Sequence, residues 1–260
     1  MKVNFPIQAK KEIPLIILHG WGASSKSFAK VKELLEQKGV SVFVLDLPGF
    51  RSVAPSDKAW SVDDYADWVE NYIENKIHPA LPLKKEGEKS FVLYGHSFGG
   101  RIGIKLAARQ IEGLKGLILC DAAGITPRPK IKINIFSLLS RTGKLFFSLP
   151  ILKYFQPIVR KIEYFLAGTR DYYYLQSEIM KGTFKKVIEE DLTSYLGKIS
   201  VPTLIIWGKK DKMTPVSDAY VMNRKIAGSK LEILENVGHS PHLESPEELA
   251  NIVTNFVKQQ

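Results

Sequence analysis

Residues 91–100 read FVLYGHSFGG, an apolar run that drops directly into Gly95-His96-Ser97-Phe98-Gly99. This G-x-S-x-G spacing, set between a strand-like run and a helix-like segment, is the setting in which a serine hydroxyl serves as a nucleophile. The hydroxyl needs a base to take its proton. It must also stand clear of the backbone to reach a carbonyl carbon. A sharp strand-to-helix turn meets that second need, and Gly95 and Gly99 leave room for the tight path and the close crossing. Gly100 extends the small surface. From Arg101 to Ile111, the residues Ile102, Ile104, Leu106, Ala107, Ala108 and Ile111 predict a helix with one apolar face. Its N-terminus would favour negative charge developing near Ser97. The alternative, a structural Ser/Gly turn without chemistry, does not account for strand, turn and helix coinciding.

Such a turn needs a scaffold. Strands are predicted at Ile13–His19, Val40–Asp46, Ser90–Tyr94, Leu114–Asp121, Pro202–Trp207 and Lys230–Leu234. Several are near-continuous apolar runs, as expected of parallel strands covered on both faces. Helices are predicted near 26–38, 62–77, 98–111, 217–227 and 245–258. The last opens with Ser245-Pro246-Glu247-Glu248: a serine cap, proline at the first helical position and acids in the first turn. This alternation predicts an α/β fold with a mostly parallel central sheet and helices on both faces. The rhythm breaks between about 125 and 197, a basic, aromatic, helix-rich stretch punctuated by Pro127, Pro129, Pro150 and Pro157. The expected organisation is a core in two parts, 1–124 and 198–260, with a helical cap inserted at 125–197.

The chain has 260 residues, 45% hydrophobic and 25% charged, which fits one large folded core and not a disordered chain. No apolar run has membrane-spanning length. The N-terminal segment lacks a signal-like apolar region and cleavage site, so a cytoplasmic location is expected. The single cysteine, Cys120, ends an apolar run and reads as a small buried hydrophobe. The net charge of +10 is concentrated: from Ile125 to Lys161 there are Arg128, Lys130, Lys132, Arg141, Lys144, Lys153, Arg160 and Lys161, with no acid. Phe136, Phe146, Phe147 and Phe155 share that stretch. Basic and apolar together suggest weak membrane-surface contact, a cover over an apolar or anionic substrate, or a lid with solvated lysines. No nucleic-acid-binding motif accompanies the charge, so nucleic acid is not expected as a partner.

With the serine turn, the strand order and the insertion in place, the chain resembles the α/β-hydrolase fold family over nearly its whole length. Four further motifs carry the resemblance. After the first long strand comes His19-Gly20-Trp21-Gly22, a loop that in the family supplies one backbone N–H of an oxyanion hole. The residue after the serine supplies the other, which implies Trp21 and Phe98 as donors. His19 itself is expected to organise the loop. Asp46-Leu47-Pro48-Gly49-Phe50-Arg51-Ser52 departs from the family pattern in having Arg51 for a glycine, and Asp46 is expected to organise this turn. Trp207-Gly208-Lys209-Lys210-Asp211 follows an apolar strand where the family places its triad acid, and Met213-Thr214-Pro215 matches the usual surroundings. Asp211 is thereby implied as the acid, with Asp121 as its competitor. Finally, Val237-Gly238-His239-Ser240-Pro241-His242 implies His239 as the base, with His242 as the alternative. The order Ser97, Asp211, His239 is the family's order.

His78 and His96 receive no role. No cluster has metal-ligand spacing and no phosphate-loop motif is present, so neither a metal nor a cofactor is expected. The resemblance implies a cofactor-independent serine hydrolase, first of all a carboxylesterase taking a small-molecule ester or acyl substrate under the cap. Carbon–carbon bond hydrolysis of ring-cleavage products shares the same triad and cap. A non-enzymatic ligand receptor on this fold is the reading from a different class.

Overall fold

The computed structural model describes residues 13–50, 53–54, 56–77, 90–125 and 177–260. Six strands form one parallel sheet: β1 (Leu15–Leu18), β2 (Val42–Leu45), β3 (Phe91–His96), β4 (Leu114–Cys120), β5 (Thr203–Gly208) and β6 (Lys230–Leu234). Their order is β2-β1-β3-β4-β5-β6. Each predicted strand is present: Lys230–Leu234 keeps its predicted ends, and the others are trimmed or shifted by a residue or two. The helices are α1 (Ala29–Gln37), α2 (Val62–Tyr72), α3 (Phe98–Arg109), α4 (Glu178–Glu189), α5 (Val216–Lys225), α6 (Pro241–Glu244) and α7 (Pro246–Val257). The predicted helix over 62–77 changes hand-hold near its end: Ile73–Ile77 is a π-helical turn.

β1, β3 and β5 are buried along their whole length because both faces are covered. Side chains alternate between them with the period of a strand. Ile16, Leu18, Leu93, Leu117, Leu119, Ile205 and Trp207 face one cluster with Ile102, Leu106 and Met222. Leu15, Ile17, Val92, Tyr94, Ile118, Cys120 and Ile206 face the other, packed on Phe28, Leu35, Leu249, Val253 and Phe256. Cys120 is thus a fully buried core thiol.

The register sets the site. Leu18 pairs with Gly95, His96 with Cys120, Cys120 with Ile206, and Gly208 with Leu234. The strands are parallel, so the loops after β1, β3, β4, β5 and β6 all leave the same edge of the sheet. That edge is where open α/β sheets assemble their sites.

Of the predicted cap, residues 126–176 lie outside the described residues, and with them the basic run and its aromatic residues. The returning portion is described. Leu192 N–H bonds Gly124 C=O at 2.8 Å, drawing the end of the excursion back to its start. α4 then docks on the loop after β2. Trp60 N–H donates to Thr183 Oγ1 at 3.0 Å, Lys186 Nζ donates to Ala59 C=O at 2.7 Å, and Met180 rests on Gly49. Beneath it, the fully buried Lys105 of α3 bonds Asp63 of α2 at 2.8 Å and pairs with Glu190 at 2.5 Å. Arg101, one turn earlier, donates to Glu190 C=O at 2.8 Å. Two cations on α3 therefore hold the exit of α4. No described helix is long and apolar enough to cross a membrane.

Candidate active site

β3 delivers Ser97 into a turn where its backbone sits at φ 49°, ψ −107°. A non-glycine residue there stores about 1–3 kcal/mol of conformational strain, which only a well-determined surround can hold. The surround is tight. A Cβ on Gly95 would lie 2.7 Å from Gly100 Cα, and one on Gly99 would collide with the Leu18 carbonyl. Hence only hydrogen fits where α3 crosses β1 and β3. Ser97 C=O accepts from Gly100 N–H and Ala123 N–H, both at 3.0 Å, which locks the turn from two sides.

His239, in the loop after β6, meets this serine. Its Nε2 lies 3.0 Å from Ser97 Oγ, and its Nδ1 lies 2.7 Å from Asp211 Oδ2. Serine, histidine and aspartate so form one continuous hydrogen-bonded line, assembled from the loops after β3, β5 and β6. With Nδ1–H donated to the carboxylate, Nε2 is left as an acceptor aimed at the hydroxyl.

Asp211 is prepared for its place. Its Oδ1 accepts from Met213 N–H at 2.7 Å and Thr214 N–H at 3.1 Å, while Thr214 Oγ1 donates to Oδ2 at 2.6 Å. Burial opposes its ionisation, but the bonds from His239, Thr214 and the Met213 amide outweigh burial and hold the carboxyl below its usual range. Thr214 is itself held, since Trp207 Nε1–H donates to its carbonyl at 3.0 Å.

The competitors resolve by contact. Asp121 lies in the same cluster, but the imidazole bonds Asp211. His242 is buried and stacks on Phe28 with ring centroids 4.2 Å apart. Burial and the neighbouring His239 depress it to about 4, so it is a neutral packing histidine.

His96 corrects the sequence expectation of no role. Its ring is buried between the two other histidines, 5.0 Å from the His239 ring and 4.7 Å from that of His242. Its Nε2–H donates to the His239 backbone carbonyl at 2.7 Å. Burial, followed by the neighbouring histidines, pushes its pKa well down and keeps it neutral. Glu244 completes the clamp: Oε2 accepts from Gly238 N–H at 2.7 Å and Oε1 from Ser240 N–H at 2.9 Å. The main chain around His239 is pinned on both sides. His78, Arg51 and Ser52 lie outside the described residues.

The loop after β1 borders the serine. Gly20 presses on the turn so closely that an added Cβ would lie 3.3 Å from Ser97 Cβ and 2.8 Å from His96 Nδ1. Ala23 N–H closes a turn on Gly20 C=O at 3.2 Å, placing Trp21 where its amide has no partner inside the turn. Phe98 opens α3, and first-turn amides of a helix have no partner within it. His19 organises this loop as expected: Nδ1–H donates to Gly20 C=O at 2.8 Å and Nε2 accepts from Leu47 N–H at 3.0 Å. Asp46 acts at longer range than expected. It binds Ser25 through N–H at 2.6 Å and Oγ at 3.0 Å, tying the β2 end to the turn before α1. Trp21 meets Phe50, Phe98 and Phe184 edge-on, at 5.0, 5.3 and 5.0 Å. These four rings make an apolar wall, with Phe184 contributed by α4.

Spacing along the chain suggested no metal ligands, yet donor atoms of Asp121, Asp211 and His239 lie within 4.8 Å of one another. Those atoms are engaged by each other and by main-chain amides, Gly208 N–H on Asp121 Oδ1 at 2.9 Å among them. A cation here would have to break the His239–Asp211 bond.

Comparison with known proteins agrees with the geometry. The chain is 27% identical to the monoacylglycerol lipase abhd6-A of Xenopus laevis, across 94% of this chain and 74% of the relative. It is 31% identical to the AB hydrolase superfamily protein YisY of Bacillus subtilis, across 94% and 91%. Among solved structures, an esterase from Exiguobacterium antarcticum superposes with a TM-score of 0.71 at 25% identity, covering 96% of this chain and 93% of that one. Residues 13–246 match the family pattern of the alpha/beta hydrolase fold. With its parallel sheet and its loops gathered at one edge, the chain belongs to the α/β hydrolase fold family.

Proposed function

We propose that this protein is a cofactor-independent serine hydrolase that cleaves carboxylic esters through an acyl-Ser97 intermediate. The observation that carries this is the line of hydrogen bonds from Ser97 Oγ through His239 to Asp211, at 3.0 and 2.7 Å. The relatives named for lipase and esterase activity support the choice of ester over other acyl chemistry.

His239 Nε2 takes the Ser97 Oγ proton as Oγ bonds to the ester carbonyl carbon. The carbonyl electron pair moves onto oxygen, where the Trp21 and Phe98 amides receive the charge. Each such donor is worth roughly 3–4 kcal/mol in the transition state. Asp211 meanwhile stabilises the imidazolium and keeps it oriented. Collapse of the tetrahedral species expels the alcohol, which leaves with the proton from His239. Water then attacks the acyl-serine, giving its proton to His239, and the acid departs as Ser97 regains its hydrogen. We place the substrate's acyl group against the Trp21, Phe50, Phe98 and Phe184 rings.

Hydrolysis of p-nitrophenyl esters from acetate to palmitate, by wild type and Ser97→Ala side by side, tests this reading. Turnover that Ser97→Ala abolishes supports it. A wild type without serine-dependent turnover of any ester rejects it.

A further inference from the structure

A second buried carboxyl stands beside this line of hydrogen bonds and has no part in the steps above. Asp121, immediately after β4, is fully buried, with its backbone at φ 43°. Its carboxyl stands beside that of Asp211, in a cluster where ligand atoms of Asp121, Asp211 and His239 all lie within 4.8 Å of one another. Two carboxylates this close in a desolvated interior cannot both stay ionised, so one must hold a proton. The distribution of donors decides which. Asp211 accepts four bonds, from Met213 N–H, Thr214 N–H, Thr214 Oγ1 and His239 Nδ1. Asp121 accepts a single amide, Gly208 N–H at 2.9 Å, and the weak Cys120 thiol at 3.5 Å. The better-solvated carboxylate keeps the charge, and the other keeps the proton.

We propose that Asp121 is a positioning residue: in its protonated form it donates a hydrogen bond to the Asp211 carboxylate and holds that carboxylate toward His239. This role presupposes the Ser97–His239–Asp211 chemistry above. The groups facing Asp121 are Tyr94 from β3, Cys120 from β4, Asp211 from the loop after β5 and His239 from the loop after β6. Burial pushes Tyr94 and Cys120 upward, so neither carries charge at neutral pH. Burial first, with the Asp211 charge adding to it against the Gly208 amide, pushes Asp121 up to about 8. Above that pH the donated hydrogen is lost and two anions face each other.

Asp121→Asn keeps a neutral donor of the same shape, and asparagine tolerates positive φ. With p-nitrophenyl butyrate, kcat/KM of the variant at pH 7 should stay within about threefold of wild type. Wild-type kcat should fall on an alkaline limb centred at about 8, and the variant should lack that limb. Infrared spectroscopy supplies a reading without turnover. Wild type at neutral pH should show the carbonyl band of a protonated buried carboxylic acid, which fades with alkali and is missing from Asp121→Asn. A wild type without the band, or a variant that retains it, overturns the assignment. So do coincident pH profiles, or a loss of about tenfold or more at pH 7 in the variant. Because the band needs no substrate, it separates failure of this assignment from failure of the ester-hydrolase reading.

Discussion

The Nε2–H of His96 bonds the main-chain carbonyl of His239 at 2.7 Å, so the residue before the serine holds the backbone of the imidazole that faces it. A shift at either end of this bond changes the Nε2-to-Oγ distance. Misplacement of reacting groups by about 1 Å costs roughly 100-fold in rate. His96→Leu should therefore lower kcat by about 10- to 100-fold with little change in KM. His96→Gln, which can return an N–H to the same carbonyl, should recover much of the loss. Steady-state kinetics on both variants checks this.

The backbone of Ser97, at φ 49° and ψ −107°, sets stability against chemistry. Ser97→Gly relieves the strain and should stabilise the fold by about 1 kcal/mol, while Ser97→Ala should change stability little. Both should abolish turnover. Urea denaturation of the three proteins, with activity in parallel, reads the trade directly.

Phe184 belongs to α4 yet packs 5.0 Å from Trp21, so the ring cluster around Trp21 and Phe98 is built partly from α4. Phe184→Ala should shift preference along the p-nitrophenyl ester series toward longer acyl chains and act mainly through KM. An unchanged chain-length profile would mean that this ring does not meet the acyl group.

Asp211 is held below its usual range, so it contributes stability above the unfolded value of about 3.8 and loses it as pH falls through the folded value. Asp211→Asn should lower kcat by about 10⁴-fold, by analogy with other Ser-His-Asp sites. It should also flatten the acid side of the stability curve. Denaturation midpoints at acid and neutral pH, for variant and wild type, test the sign.

Much of this was legible in the chain itself. Strands such as Phe91–His96 and Thr203–Gly208 are buried on both faces and therefore read as unbroken apolar runs. Ser97, Asp211 and His239 each sit in a short loop with local punctuation, and the structure brings them together. What stayed hidden depends on contacts across long stretches of sequence. His96 looked like a spacer because its partner is 143 residues away. Asp121 looked like a competitor for Asp211 because adjacency in space cannot be read from two separate strand ends. Glu244 gave no signal, since an exposed glutamate in a helix is ordinary until its two amide partners are placed. Ser245 occupies the predicted cap position of α7, but its hydroxyl bonds Glu248 at 2.9 Å and makes no side-chain cap bond to the backbone. The π-helical turn at Ile73–Ile77 keeps Ile73 and Ile77 buried, so an apolar periodicity does not distinguish it from α-helix.

The most direct test of the account is to trap the covalent intermediate. Wild type mixed briefly with p-nitrophenyl butyrate, quenched in acid and mapped by mass spectrometry should carry a butyryl group on the peptide containing Ser97. Ser97→Ala should carry none and release no p-nitrophenol above background. Butyryl on any other residue, or turnover that survives Ser97→Ala, would contradict the assignment of Ser97 as the nucleophile.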